Sequence, residues 1–227
     1  MRIIATYAVR SEPQWLVDDL RTNLAPWVDG FAEIDNRGQT GGWAHEGDLR
    51  ARQRDACRAL GADWALFVDP DERLEDRAAQ IVPAAVEAGT VNAVYGFPLR
   101  EMWTPTQYRV DGDWLRKKPR RRLIPMRTGA RVWPDKPIHC GLAPLDVPLR
   151  RITLDVLLYH LKSIEPANRT ARADAYLAAD PGFEYQRREG RDWSWLHDET
   201  GLRTEPIEWG RGFSPPYTRR YVFEPPR

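Results

Sequence analysis

The chain is poor in the residues that mark several large protein classes. It has only two cysteines, Cys57 and Cys140, in no paired spacing. Two thiols so placed make neither a disulfide framework nor a cysteine-rich metal module, and reduced thiols in a cytoplasmic protein are expected. No apolar run approaches membrane-span length, and no secretory leader is read at the start. Neither sign of charge is in real excess: the net charge of +1 points to no particular partner. Lysine occurs only at positions 117, 118, 136 and 162, so nearly all of the 34 basic residues are arginine. Internal repeats and low-complexity tracts are absent. What the chain has in plenty is tryptophan, ten residues in 227, which supplies large flat surfaces for a core or a sugar site. The length fits one domain with appendages.

The N-terminal half alternates apolar strands with amphipathic helices. Residues 2–9 read as an interior strand and residues 31–36 as a second, ending at Asp35. Between them Leu16, Leu20 and Leu24 form one helical stripe, with Ser11 as the expected cap and Pro26 as the stop. A β-α-β unit of this kind predicts parallel strands. Residues 46–60 read as a helix whose Leu49, Ala56, Cys57 and Leu60 face inward while Arg50, Arg54 and Arg58 share another side. Residues 75–88 read as a helix with Pro83 inside it, 91–99 as a strand, 100–118 as a Trp- and Tyr-rich binding loop, 121–126 as a short strand and 152–160 as an apolar strand closing on His160. Residues 167–179 read as a last helix. From Asp180 onward the chain is polar, rich in Pro and Trp, and without periodicity.

The most informative stretch is Trp64-Ala65-Leu66-Phe67-Val68-Asp69-Pro70-Asp71-Glu72. A short apolar run stopped by proline predicts a buried strand, and open α/β sheets place ligands at the carboxyl ends of such strands. Alternation turns Asp69 and Asp71 the same way. Two hard oxygen donors side by side suit Mg²⁺ or Mn²⁺ shared with phosphate oxygens; the plainer alternative is a solvated acidic turn.

The block from Arg52 to Glu72 resembles the nucleotide-binding half of the family 2 glycosyltransferases. Gln53-Arg54-Asp55 stands at that family's "A-R-N", Ala62-Asp63-Trp64 at its "G-D-W", and Asp69-Pro70-Asp71-Glu72 at its "D-A-D-E". Ile138-His139 resembles its "h-H-E", and Leu158-Tyr159-His160 a later strand-end histidine. The resemblance implies an α/β GT-A fold: a Rossmann-like domain over residues 1–165 with a mostly parallel central sheet, followed by a helical and irregular extension over 166–227. It implies a nucleotide-diphospho-sugar donor and a divalent cation, Mn²⁺ or Mg²⁺. Thr6, Arg10, Glu12, Asp35, Arg54 and Asp69 would then lie against the nucleotide. Asp69, Asp71 and His160 would hold the metal, with His139 a second candidate. The family's acid after the first histidine is Cys140 here, and a thiol is no substitute for a carboxylate base, so Asp135, ahead of Asp146, is the expected base for an acceptor hydroxyl. The acceptor, whether glycan, protein or nucleic acid, is left open.

Other readings start from the same residues. A haloacid-dehalogenase-like phosphohydrolase also carries D-x-D after an apolar strand, but Arg73 stands where that motif wants Thr or Val, and the motif follows two earlier strands. The basic run 116–122 fits the steering of an anionic donor or acceptor, a solvated face, or a nucleic-acid-binding module. Cys140 also allows a transferase-like fold without turnover.

Overall fold

The computed structural model describes residues 1–37, 45–89, 92–114, 119–182, 184 and 193–222. In chain order the elements are β1 (Ile3–Val9), α1 (Gln14–Leu24), β2 (Gly30–Asp35), α2 (Glu46–Ala59), β3 (Trp64–Phe67), β4 (Glu72–Leu74), α3 (Ala78–Ala88), β5 (Ala93–Phe97), β6 (Leu99–Thr104), β7 (Gln107–Arg109), β8 (Arg120–Pro125), β9 (Arg150–Thr153), β10 (Leu158–His160), α4 (Pro166–Ala179) and β11 (Thr204–Pro206). Among the described residues no helix is long and apolar enough to cross a membrane.

The class is α/β, with two mixed sheets. The first has the order β2-β1-β3-β8-β5-β9. β1 pairs in parallel with β2 and β3, and β5 with β9, as the β-α-β pattern predicts. β8 runs antiparallel to both β3 and β5, so the sheet is mixed where a mostly parallel one was expected. The connection explains the reversal: β5 is followed by the β6–β7 excursion into the second sheet, and the chain returns from the opposite end.

Helices cover both faces of this sheet, which is why its strands are apolar almost throughout. Ile3, Ala5, Tyr7 and Val9 pack with Val17, Leu20 and Leu24 of α1 and with Ala78, Val82 and Val86 of α3. The alternate residues Ile4, Ala65 and Phe67 pack with Cys57 of α2 on the other side. α1 begins at Gln14 with Pro13 at its cap and no side-chain capping bond, so Ser11 does not serve as the cap.

The second sheet has the order β11-β7-β6-β10-β4. It corrects two expectations. The aromatic stretch after Arg100 is largely a β-hairpin, β6–β7. The apolar run 152–160 is two strands in different sheets, because the chain leaves β9 at Thr153 and re-enters as β10. The segment after α4 joins the same structure: β11 pairs with β7, and Phe213, Tyr217 and Tyr221 pack with Leu16, Leu157 and Tyr159.

Candidate functional site

The site lies where the chain passes from the first sheet to the second. β3 ends at Phe67 and β4 starts at Glu72, so Asp69, Pro70 and Asp71 form the turn between the sheets. Arg73 fixes that turn from beneath. Its side chain is fully buried, and its guanidinium donates to the carbonyls of Pro70 (2.8 Å), Glu72 (2.7 Å) and Leu16 (2.9 Å). Among the described residues no carboxylate is bonded to it, and burial lowers its pKa to about 10. Burying a cation costs several kcal/mol unless strong hydrogen bonds offset it; here three carbonyls do so.

Asp71 is buried, and its carboxylate faces His160 Nε2 at 3.6 Å and Lys162 Nζ at 3.7 Å. Its backbone carbonyl accepts the Leu161 N–H at 2.8 Å, which locks the turn to the strand carrying His160. The register of the second sheet sets Glu72 and Glu101 on either side of His160. His160 Nδ1 bonds Glu101 Oε1 at 2.8 Å, and the same oxygen accepts from Ser163 Oγ (2.6 Å) and Arg172 Nη1 (2.8 Å). Burial opposes protonation of His160, but Glu101 and then Asp71 outweigh it and hold its pKa up at about 9. Burial likewise opposes ionisation of Asp71, and His160 and Lys162 overcome it and keep the carboxyl well below the ordinary range.

Asp69 is more open, with 41% of its side chain exposed, and pairs with Arg122 at 2.9 Å. Arg122 also bonds Glu72, whose other oxygen accepts the Asp69 N–H at 2.9 Å. The reversed strand is what makes this possible. Leu66 of β3 pairs with Leu123 of β8, so the arginine-rich start of β8 lies beside the acidic end of β3. Of the basic run 116–122, residues 116–118 lie outside the described residues.

Arg50, Gln53 and Arg54 lie on the face of α2 turned towards the protein, all nearly inaccessible. Arg54 lies 4.4 Å from the Trp133 ring centroid, beneath its face, and burial, with Arg58 adding to it, depresses its pKa. Arg50 pairs with Glu46 at 2.7 Å. Arg50 Nε, Gln53 Nε2 and Arg54 Nη1 are buried donors with no acceptor among the described residues. Buried donors are nearly always satisfied, so three on one helix turn mark a place where acceptor atoms are missing.

The other expected residues divide. Glu12 accepts the Arg10 N–H at 2.6 Å, and burial pushes its carboxyl above the ordinary range. Thr6 is buried and donates to the Ala32 carbonyl, a structural bond between β1 and β2. Asp35 is exposed and bonds the Arg37 N–H at 3.0 Å. Two of the expected residues lie apart from this cluster. Asp135 is exposed, 3.3 Å from His45 at the start of α2, and no described contact joins it to Asp69 or Asp71. His139 stacks on Tyr176, ring centroids 5.4 Å apart, rather than meeting His160. Asp146 accepts the Arg131 N–H on the same outer loop. Cys140 is buried, its N–H held by Glu46, and burial pushes its thiol up, so it is no base.

Among the described residues, the one group of three or more His, Cys, Asp or Glu ligand atoms within 4.8 Å of one another is the exposed His45, Asp48 and Asp135. Asp69, Asp71 and His160 are therefore not gathered as a ready-made triad: Asp71 and His160 meet, while Asp69 is held by Arg122. Sequence reasoning missed Glu101, Lys162 and Arg172, and singled out Arg122 only as part of the basic run 116–122. Position beside a recognised strand end could have found Lys162, two residues after His160; nothing local marks Glu101.

No protein-family model matches the chain, and no curated protein matches it.

Proposed function

We propose that this chain transfers a sugar from a nucleotide-diphospho-sugar to an acceptor hydroxyl, with a divalent cation at Asp71 and His160. The observation that carries the reading is the Asp71–His160–Glu101 row at the carboxyl end of β3. Asp71 Oδ2 and His160 Nε2 lie 3.6 Å apart, compatible with two ligands on one first-row cation at bond lengths of about 2.0–2.2 Å. Glu101 holds the far nitrogen of the ring, the usual outer partner of a metal-bound histidine. A carboxylate with an imidazole favours Mn²⁺ over Mg²⁺, which prefers oxygen throughout. A bound cation supplies Lewis-acid neutralisation of the charge that builds on a departing diphosphate.

The protein's own groups do the rest. Arg122, Lys162 and Arg172 surround the acidic turn and draw an anionic donor to it. The unfilled donors of Arg50, Gln53 and Arg54 suit the acceptor-rich nucleotide portion. Arg73 keeps the turn in one shape, so little reorganisation is needed when charge moves. In the first sheet only β8 is reversed, an arrangement compatible with a Rossmann-like GT-A domain. The base for the acceptor hydroxyl is left unassigned, since Asp135 and Cys140 are both unsuitable where they lie.

The test is a thermal-shift screen of UDP-, GDP- and dTDP-sugars with and without Mn²⁺. Saturation at a hundredfold over Kd stabilises by about 2.7 kcal/mol, so a true donor is readily seen. A protein that ignores every nucleotide-sugar, with and without Mn²⁺, is not this transferase.

A further inference from the structure

Lys162 lies in the short turn between β10 and α4, and its backbone is pinned on both sides. The Leu161 N–H donates to the Asp71 carbonyl at 2.8 Å, and the Ile164 N–H to the Leu161 carbonyl at 3.0 Å. Ser163 Oγ donates to Glu101 at 2.6 Å, and the Ser163 carbonyl accepts from Arg169 Nε at 2.7 Å. With the backbone fixed, the ammonium group moves only by turning its own stem.

Lys162 Nζ lies 3.7 Å from Asp71 Oδ2, the same oxygen that faces His160 Nε2 at 3.6 Å. The lysine side chain is 14% exposed and that of Asp69 41%, so solvent reaches the turn at both. The neighbouring guanidinium groups are committed elsewhere. Arg73 bonds three carbonyls, Arg122 bonds Asp69 and Glu72, and Arg172 bonds Glu101. Lysine is a point charge on a flexible four-carbon stem, with three donors that need no fixed plane. Of these cations it is the one that can leave its carboxylate without unmaking a fork.

The charges then decide how the site fills. Lys162 already answers the Asp71 carboxylate, so a divalent cation brought alone to that carboxylate meets a positive charge beside it. Like charges repel strongly where little water screens them. A nucleoside diphosphate removes the conflict. It brings its own negative charges, the ammonium turns to a phosphate oxygen, and Asp71 is released to the metal.

We propose that Lys162 couples metal binding to donor binding: it holds Asp71 until a diphosphate arrives and then transfers its charge to that group. Cation and donor therefore bind well together and poorly one at a time. This rests on the transferase reading and adds to it a residue that governs how the two ligands assemble.

The experiment measures the Kd of Mn²⁺ from the electron-spin-resonance signal of the free ion, with and without saturating UDP, GDP or dTDP. It is run on the full chain, on Lys162→Met and on Lys162→Arg, with the melting temperature of each. In the parent, nucleotide is expected to tighten Mn²⁺ by about tenfold or more, and by linkage Mn²⁺ tightens that nucleotide by the same factor. Lys162→Met is expected to tighten Mn²⁺ alone by about fivefold or more and to leave Mn²⁺ in the presence of nucleotide near the parent's value, so the coupling shrinks by that factor. Lys162→Arg keeps the charge and the coupling. A merely structural lysine gives a lower melting temperature in Lys162→Met with the parent's coupling, and that result overturns this assignment alone. So does a parent that binds nucleotide but whose Mn²⁺ affinity nucleotide does not change, a result that needs no variant. A parent that binds none of the three nucleotides, with or without Mn²⁺, overturns the transferase reading and the assignment with it.

Discussion

Arg122 and Asp69, separated by 53 positions in the chain, are joined by a 2.9 Å hydrogen bond between Nη2 and Oδ2. The pair binds the start of β8 to the end of β3, and Glu72 shares the same guanidinium. Burial alone would weaken that cation, but Glu72 and Asp69 raise its pKa above the ordinary value.

Replacing Arg122 with Met leaves two neighbouring carboxylates without their cation. Breaking a buried pair costs about 3–5 kcal/mol, and the openness of Asp69 puts the expected loss near the lower figure. Urea denaturation at pH 7 measures it, and the deficit shrinks at pH 5 as the carboxyl groups take up protons. A midpoint equal to the parent's rules out this role for Arg122.

Asp71→Asn removes the negative charge and keeps the shape. The variant is expected to fold, to lose Mn²⁺-dependent nucleotide binding, and to lose transfer by at least a hundredfold. Calorimetry with Mn²⁺ and nucleotide reads the first loss and donor turnover the second. Full activity would sink the metal assignment.

His160 predicts two opposite pH trends. Its folded pKa of about 9 lies above the ordinary 6.5. The proton is held more tightly when folded, so its stabilisation is fully present below pH 6.5 and lost as pH rises through 9. The unliganded protein is expected to lose on the order of 2–3 kcal/mol across that window. Mn²⁺ affinity is expected to rise over the same range, because a metal-binding imidazole must first give up its proton. His160→Gln should flatten both curves; if the unliganded protein's melting temperature is constant from pH 6.5 to 9, the ion-pair network does not hold a proton there.

Arg73→Lys keeps the charge but not the fork. One ammonium group cannot reach the carbonyls of Leu16, Pro70 and Glu72 together, so a loss of about 2–3 kcal/mol is expected. Nucleotide affinity should fall with it, because the turn bearing Asp69 and Asp71 loosens. Unchanged hydrogen exchange at Asp71 and Glu72 would show that the turn does not need the fork.

The local parts of this architecture were legible in the sequence. The strand over Trp64–Phe67, helix α2 and the β-α-β start follow from apolar spacing and proline stops, which depend only on near neighbours. The meeting of Asp71 with His160 was expected only through the family resemblance, though His160 does close an apolar strand. Glu101 was not, since it lies in a stretch whose aromatics read as a loop, and only the pairing of β6 with β10 turns it towards His160. The reversal of β8 was equally hidden: strand direction depends on where the chain travels between strands. The contacts of Asp135 with His45 and of His139 with Tyr176 were not readable, because adjacency in a loop says little about which way each side chain points.

The Glu101 carboxylate has consequences for how the molecule is made. Its histidine partner lies 59 positions later and its arginine partner 71. A ribosome building the chain from the N-terminus therefore releases Asp71 and Glu101 long before the cations that neutralise them. Until α4 has emerged, those carboxylates have no reason to leave water, and the seam between the two sheets is among the last regions to close during synthesis.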